Sequence, residues 1–280
     1  MKEKYRDRVV IVTGASAGIG RSLALQLAGQ KAKVVIAARR TDRLEQVASE
    51  CRSLGGEVLV VPTDVSDESQ CKALVEKALI TYGKLDMLIN NAGLAASALF
   101  DEYPSLELFR HTLDVNFYGT VYCTYYALPY LKRTRGRLLM ISSLGGKAAI
   151  PYNTPYCSSK YGLHGFCDSL RMELRPHGVS VTVICPWWVV TEFHEAQMDK
   201  NGTPRGKHGR AFYSKKTMTA DQCAQISLNA ALKRRREVLM GPGNLAVWLK
   251  VISPSFLDWL TYKVFLEPAI QRAKSGKIEV

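Results

Sequence analysis

Val9-Val10-Ile11-Val12-Thr13-Gly14-Ala15-Ser16-Ala17-Gly18-Ile19-Gly20 reads as a buried strand that turns directly into a helix. Four β-branched residues in succession suit a strand covered on both faces. Glycines follow where a backbone must turn tightly (Gly14), approach a ligand closely (Gly18) and let a helix pack on a sheet (Gly20). A helix opening at Ile19 aims its unpaired N–H groups and the positive end of its dipole at that turn. The stretch predicts a site for a dinucleotide diphosphate at Gly14, Ser16, Gly18, Ile19 and Gly20. A tight turn with no ligand is the plainer alternative.

Outward from this stretch, short apolar runs alternate with helical segments, the pattern of parallel βαβ units. The strand candidates are Val9–Thr13, Lys33–Ala38, Glu57–Pro62, Met87–Asn90, Arg137–Ser142, Val179–Cys185 and Glu237–Met240. Helices are expected over Ile19–Gly29, Arg43–Leu54, Ser66–Tyr82, Leu106–Leu131, Pro155–Arg175 and Ala220–Leu232. Thr41 or Asp42 can cap the second helix and Ser66 or Asp67 the third, while Gly29, Gly83 and Gly178 stand where helices should end. The fold class is therefore α/β: a doubly wound Rossmann fold with a seven-stranded parallel sheet and helices on both faces. One domain spanning 1–280 is expected, with 187–216 as a substrate loop or lid and 241–280 as an apolar and basic extension.

Ser143, Tyr156 and Lys160 form the second informative pattern. Tyr156 and Lys160 are four apart, so on a helix they project from one face. An ammonium that close favours the phenolate and should draw Tyr156 below its free pKa of about 10. A phenol so tuned can exchange a proton near neutrality, as carbonyl–alcohol interconversion requires. At the end of the second strand, Arg39 and Arg40 stand where an acidic residue would meet an adenosine ribose, with no Asp or Glu beside them in the chain. Guanidinium pairs with a 2′-phosphate, so NADP is expected over NAD. Solvated surface arginines are the alternative. Cys157, beside Tyr156, reads either as a nucleophile or as a small helix residue facing away.

Composition sets the outer limits. The sequence has 280 residues, 47% of them apolar, enough for a sizeable core. Its start, Met1 to Arg8, is charged and leads straight into the first strand, so no secretory leader is expected. Seven cysteines are dispersed without a C-x-x-C pair or metal-ligand spacing, which suits reduced thiols in a cytoplasmic setting and no bound metal. The net charge of +13 is uneven: residues 200–280 hold 15 Lys/Arg against 5 Asp/Glu, or +10. No nucleic-acid motif accompanies that charge, so nucleic acid is not an expected partner; a solvated basic face near an anionic membrane is. The tail Leu245–Leu266 carries an apolar stripe at helical spacing (Trp248, Ile252, Phe256, Trp259, Leu260), broken by Lys250, Pro254, Asp258 and Lys263. It can lie peripherally on a membrane, cover the substrate pocket or meet another subunit.

The chain resembles the short-chain dehydrogenase/reductase family, core branch, over about Arg8 to Met240. Thr13–Gly20 matches its T-G-x-x-x-G-x-G, Asn90-Asn91-Ala92-Gly93 its N-N-A-G, and Tyr156 and Lys160 its Y-x-x-x-K. Ser142–Lys147 matches the Ser-Ser-Leu-x-Gly-Lys run of hydroxysteroid-dehydrogenase-like reductases. The resemblance implies Asp64 and Val65 at the adenine, Asn91, Ala92, Gly93, Val189 and Thr191 along the nucleotide, and Lys160 on the nicotinamide ribose. It implies that Ser143 polarises a carbonyl, Tyr156 protonates it, and Asn116 helps a water connect Lys160 to solvent. Asn116 can equally be a buried amide pairing backbone groups, and Ser143 a turn or cap residue with Ser142 structural beside it.

Two departures stand out. Trp187 replaces the family's glycine after Pro186, and Ala17 replaces a basic residue that some NADP-binding members carry, leaving phosphate recognition mainly to Ser16, Arg39 and Arg40. Trp187 and Trp188 read equally as an aromatic wall or as core packing. Leu94, Ser143, Leu144, Trp187, Trp188 and Phe193 are the candidate substrate pocket, fit for a hydrophobic ketone, aldehyde or alcohol. Two or four subunits packed through Leu106–Leu131 and Pro155–Arg175 are implied. An epimerase or dehydratase on the same fold and a non-catalytic nucleotide sensor are the rival functions.

Overall fold

The computed structural model describes residues 4–206, 214, 217–241 and 243–268. Its centre is β1 (Val9–Thr13), buried along its whole length, as four β-branched residues in a row demand. β1 pairs in parallel with β2 (Lys33–Ala38) on one side and β4 (Met87–Asn90) on the other. β3 (Glu57–Pro62) lies outside β2, while β5 (Arg137–Ile141), β6 (Ser180–Cys185) and β9 (Glu237–Leu239) continue beyond β4. The order β3-β2-β1-β4-β5-β6-β9 reverses direction at β1, which opens a crevice at the strands' carboxyl ends. A short parallel pair, β7 (Val189–Val190) with β8 (Met218–Thr219), stands apart from the sheet.

Alternate strand residues feed two cores. Val10 and Val12 pack with α1 (Gly18–Gly29), α2 (Thr41–Ser53) and α7 (Ala220–Leu232). Val9 and Ile11 pack with α3 (Glu68–Tyr82), α5 (Gly119–Thr134) and α6 (Thr154–Leu174) on the opposite face. This is the doubly wound α/β fold, with helices on both faces of seven parallel strands. All seven cysteines are free and buried.

Several boundaries differ from expectation. The helix expected over Leu106–Leu131 is α4 (Glu107–Leu113), a wide π turn at Asp114–Tyr118, then α5. Neither Thr41 nor Asp42 caps α2: Arg40 is the capping position, without a side-chain bond, and Asp42 lies inside the first turn. Asp67 does cap α3, accepting from the N–H groups of Ser69 and Gln70. Gly83 and Gly178 close their helices in the left-handed region; α1 ends at Gly29 as expected, with the left-handed residue two positions on at Lys31. The extension holds α8 (Asn244–Ile252), α9 (Pro254–Thr261) and a π turn at Tyr262–Leu266. Residues 207–213, 215, 216, 242 and 269–280 of the expected lid and extension lie outside the described residues. Among the described residues no helix is long and apolar enough to cross a membrane.

Two ionisable groups are built into this framework. Asp86, before β4, is buried yet held below its usual range. Burial pushes its carboxyl up, but the Val9 N–H and the Lys84 and Arg8 side chains outweigh it. His164, on α6, meets the Ser142 hydroxyl at 3.1 Å through Nε2, and its Nδ1 lies 3.8 Å from Glu237 Oε1. Glu237 is itself paired with Lys147 at 2.8 Å. Burial, reinforced by Lys147, brings the imidazole down to about 4. Because the unfolded chain binds a proton at about 6.5, stability from neutral His164 is complete above that pH and falls as pH drops toward 4. The loss should approach about 3 kcal/mol. Urea unfolding across this window should give a flatter profile for His164→Gln than for the parent protein, and parallel profiles would refute the buried neutral imidazole.

Candidate active site

The glycine turn is held by close backbone contacts. Gly14 and Gly18 take left-handed φ values of 64° and 54°, and a Cβ on Gly20 would fall 2.2 Å from the Gly14 carbonyl oxygen. Asn91 tightens the turn from β4: its Nδ2 donates to the carbonyls of Thr13 (2.9 Å) and Gly14 (3.2 Å). Thr13 Oγ1 accepts from the N–H groups of Asn91 and Ala92. The N-terminus of α1 thus opens beside Gly14, Ser16, Gly18 and Ile19, with a cradle that side chains would fill. Residues of this kind fit a dinucleotide diphosphate.

At the adenosine end, Arg40 Nη2 donates to Ser16 Oγ at 3.1 Å. Arg39 Nη1 lies 4.0 Å from Asp64 Oδ2. A carboxylate therefore does stand near Arg39, contrary to the reading of the chain alone, because parallel pairing of β2 with β3 brings the two strand ends together. Asp64 also accepts from the Ser66 N–H and hydroxyl, and Val65 is buried against Gly119.

Tyr156 and Lys160 project from one face of α6, with the Ser143 hydroxyl beside the phenol. Ser143 Oγ also accepts from the Gly145 N–H at 3.0 Å, which fixes the short turn Leu144–Gly146. Burial pushes the Tyr156 phenol up to about 12, against the opposing pull of Ser143. Lys160 is 4% exposed, and burial brings its ammonium down to about 8. Its Nζ donates to the Ile141 carbonyl at 3.0 Å and lies 5.7 Å from the centre of the Tyr156 ring. Depression of Tyr156 by Lys160 is thus not met in this arrangement: desolvation of the phenol dominates, and the ammonium faces a carbonyl. Cys157 is buried with its thiol toward the Ile150 carbonyl, and burial raises its pKa, so it is the small packing residue.

The π turn explains Asn116. It carries the amide inward, where Oδ1 accepts from Leu94 N–H (2.8 Å) and Nδ2 donates to Leu94 carbonyl (2.9 Å) and Ser159 Oγ (3.0 Å). The amide ties the loop after β4 to α6, since Ser159 Oγ donates in turn to the Tyr156 carbonyl. Gly93 lies between: a Cβ there would be 3.2 Å from Asn116 Oδ1 and 3.8 Å from Lys160 Nζ.

On the substrate side, Phe193 lies 5.9 Å from the Tyr156 ring, and Trp188 packs on His194 at 4.7 Å. Trp187 and Leu144 instead pack inward. A Cβ on Gly243 would fall 2.2 Å from Leu144 Cδ1 and 2.8 Å from Trp187 Cε3, and Gly241 also abuts Trp187. Val189 is buried in the β7–β8 pair, and Thr191 approaches Gly18 so closely that a Cβ there would meet it at 3.2 Å. The chain alone did not single out Ser159 or His164. Both lie on the Tyr156–Lys160 helix, His164 at one further interval of four, and that repeat was the available signal.

Comparison with known proteins agrees with this geometry. Residues 8–202 match the family profile described as short chain dehydrogenase. The chain is 35% identical over 277 residues to an 11-beta-hydroxysteroid dehydrogenase of Pinus massoniana, covering 97% of this chain and 78% of that one. It is 33% identical over 279 residues to dehydrogenase/reductase SDR family member 7 of Homo sapiens, covering 96% and 81%. A short-chain dehydrogenase/reductase of Burkholderia phymatum in complex with NAD superposes with a TM-score of 0.80 at 25% identity, covering 90% of this chain and 96% of that one. An alcohol dehydrogenase of Thermococcus sibiricus complexed with 5-hydroxy-NADP gives 0.72 at 29% identity, covering 84% and 96%. The chain belongs to the short-chain dehydrogenase/reductase family, an oxidoreductase family that binds a nicotinamide nucleotide.

Proposed function

We propose that the chain interconverts a hydrophobic ketone or aldehyde and its alcohol, using NADP. The observation that carries this reading is the contact of Ser143 with Tyr156 on the helix face that also bears Lys160. A bound nicotinamide nucleotide would supply the hydride. Ser143 would donate to the substrate oxygen, and Tyr156 would give that oxygen its proton. Burial alone leaves Tyr156 a reluctant acid, so release of its proton depends on cationic charge held beside it. Lys160 would provide that charge and bind the nicotinamide ribose, while Asn116 keeps the helix and the Leu94 loop in register. Phe193 and Trp188 would give an apolar wall for the substrate. Tyr156→Phe should bind NADPH as the parent does and lose nearly all ketone-dependent NADPH oxidation; substantial remaining turnover would overturn the acid assignment.

NADP preference is supported by Arg39 and Arg40 at the end of β2. Because Asp64 already lies near Arg39, Arg39→Asp should both remove a phosphate partner and add repulsion. The ratio of NADPH to NADH affinity should fall by at least about tenfold. An unchanged ratio would make Arg39 a surface charge.

We propose further that the protein assembles as two or four subunits packed through α4–α5 and α6, where Tyr118 of the π turn, Tyr125 of α5 and Met172 of α6 are exposed. The extension would rest on a membrane surface. Leu245, Trp248, Val251 and Ile252 fall on one side of α8 and are exposed, as are Phe256 and Trp259 of α9. Buried free thiols suit a cytoplasmic face. A monomer in analytical ultracentrifugation would refute the first proposal, and failure to co-sediment with anionic vesicles the second.

A further inference from the structure

Cys185 at the end of β6, His164 on α6 and Glu237 at the start of β9 bring one ligand atom each to within 4.8 Å of one another. Among the described residues no other group of His, Cys, Asp or Glu brings three such atoms this close. No spacing in the chain announces the group, because the fold gathers it. β6 and β9 are neighbours with Val183 opposite Glu237, so Cys185 lies diagonally from Glu237 on the sheet face that α6 covers. Cys185 Sγ is 3.4 Å from Glu237 Oε1 and 3.7 Å from His164 Nε2, while His164 Nδ1 is 3.8 Å from the same Oε1. The imidazole has little freedom, since a Cβ on Gly146 would fall 2.8 Å from its Cδ2.

Sulfur, nitrogen and oxygen donors in one cluster suit zinc, whereas magnesium and calcium take oxygen ligands. Zinc bonds of about 2.3 Å to sulfur and about 2.0–2.1 Å to nitrogen or oxygen put tetrahedral ligand atoms roughly 3.5 Å apart. The three side chains already stand near that spacing. Charge fits as well: a thiolate and a carboxylate balance a divalent ion beside a neutral imidazole. An incoming metal must displace the Lys147 ammonium, 2.8 Å from Glu237 Oε1, and the thiol proton, which burial and the neighbouring carboxylate retain. The Lys147 and Glu237 side chains are 25% and 24% exposed, and Cys185 is fully buried, so the ion enters from the Lys147 side. Lys147 then swings into solvent, and the thiol proton passes to water.

We propose that Cys185, His164 and Glu237 form a binding site for zinc, with Lys147 as its cationic competitor and a fourth ligand position left to water. The site depends on neither the nucleotide nor the substrate. His164 Nε2 also meets the Ser142 hydroxyl at 3.1 Å, so an ion here joins β6, β9 and α6 directly behind the loop that carries Ser143.

Cobalt(II) and zinc titrations of the full chain, stripped with chelator and kept reduced, test this without turnover. Cobalt(II) should raise a thiolate-to-metal absorption band in the near ultraviolet, and added zinc should remove it. Cys185→Ser should abolish the band, and Glu237→Gln and His164→Gln should each weaken zinc binding by at least about tenfold. Lys147→Met, which takes away the competing cation, should tighten zinc several-fold. Should Cys185→Ser fail to fold, Glu237→Gln and Lys147→Met decide by their opposite signs. A parent protein without the band, a band that survives Cys185→Ser, or equal zinc affinity in the parent, Glu237→Gln and Lys147→Met proteins would make the cluster a packed ion-pair network and overturn the inference.

Discussion

Backbone contact at the glycine turn governs where the rest of the site can be. Gly20 approaches the Gly14 carbonyl more closely than any side chain would permit, and Asn91 clamps that carbonyl from the neighbouring strand. One contact therefore sets three distances at once: β1 to α1, β1 to β4, and the α1 N-terminus to the crevice. Because β5 and β6 follow β4 in parallel register, the ends that carry Ser142, Ser143 and Pro186 open on the same side as the turn. A nucleotide seated on the α1 N-terminus and a substrate oxygen at Ser143 would thus share a rigid frame.

Within that frame, desolvation is the dominant force on the chemistry. Tyr156, Lys160 and His164 recur at intervals of four along α6, and burial acts on all three, disfavouring the charged form of each. The imidazole stays neutral and holds Ser142, which steadies the loop bearing Ser143. Burial opposes charge on both the phenol and the amine, but the amine, at about 8, is still mainly an ammonium at neutral pH. Charge placed beside groups that burial keeps from charging acts strongly on them.

Much of this was legible in the chain because strand and helix periodicity, glycine placement and the Tyr156–Lys160 interval all act locally. The parallel, doubly wound sheet of seven strands followed from the βα alternation, and a cap at Ser66 or Asp67, found at Asp67, from their position before α3. What escaped was set by tertiary contact. The π turn at Asn116 leaves no mark in periodicity, because its extra residue is justified only by the Leu94 backbone that the amide meets. The Asp64 carboxylate near Arg39 depends on strand pairing across 25 positions. The direction of the Tyr156 shift could not be read from spacing, since spacing gives the neighbour's distance along the helix but not the loss of solvent around both groups.

Trp187 carries the same lesson to the C-terminal extension. An indole at the strand end needs volume, and Trp187 lies outside the left-handed region, so its backbone is unstrained. The volume comes from Gly241 and Gly243, whose missing side chains leave room for the indole and for Leu144. Val247 then packs against the core, and Lys250 bonds the Tyr161 hydroxyl on α6, 4.2 Å from the ring centre. Tyr161 in turn donates to the Lys147 carbonyl in the loop after Ser143. The extension is therefore keyed through Tyr161 into the loop after Ser143 on its inner side, while its outer side exposes apolar side chains.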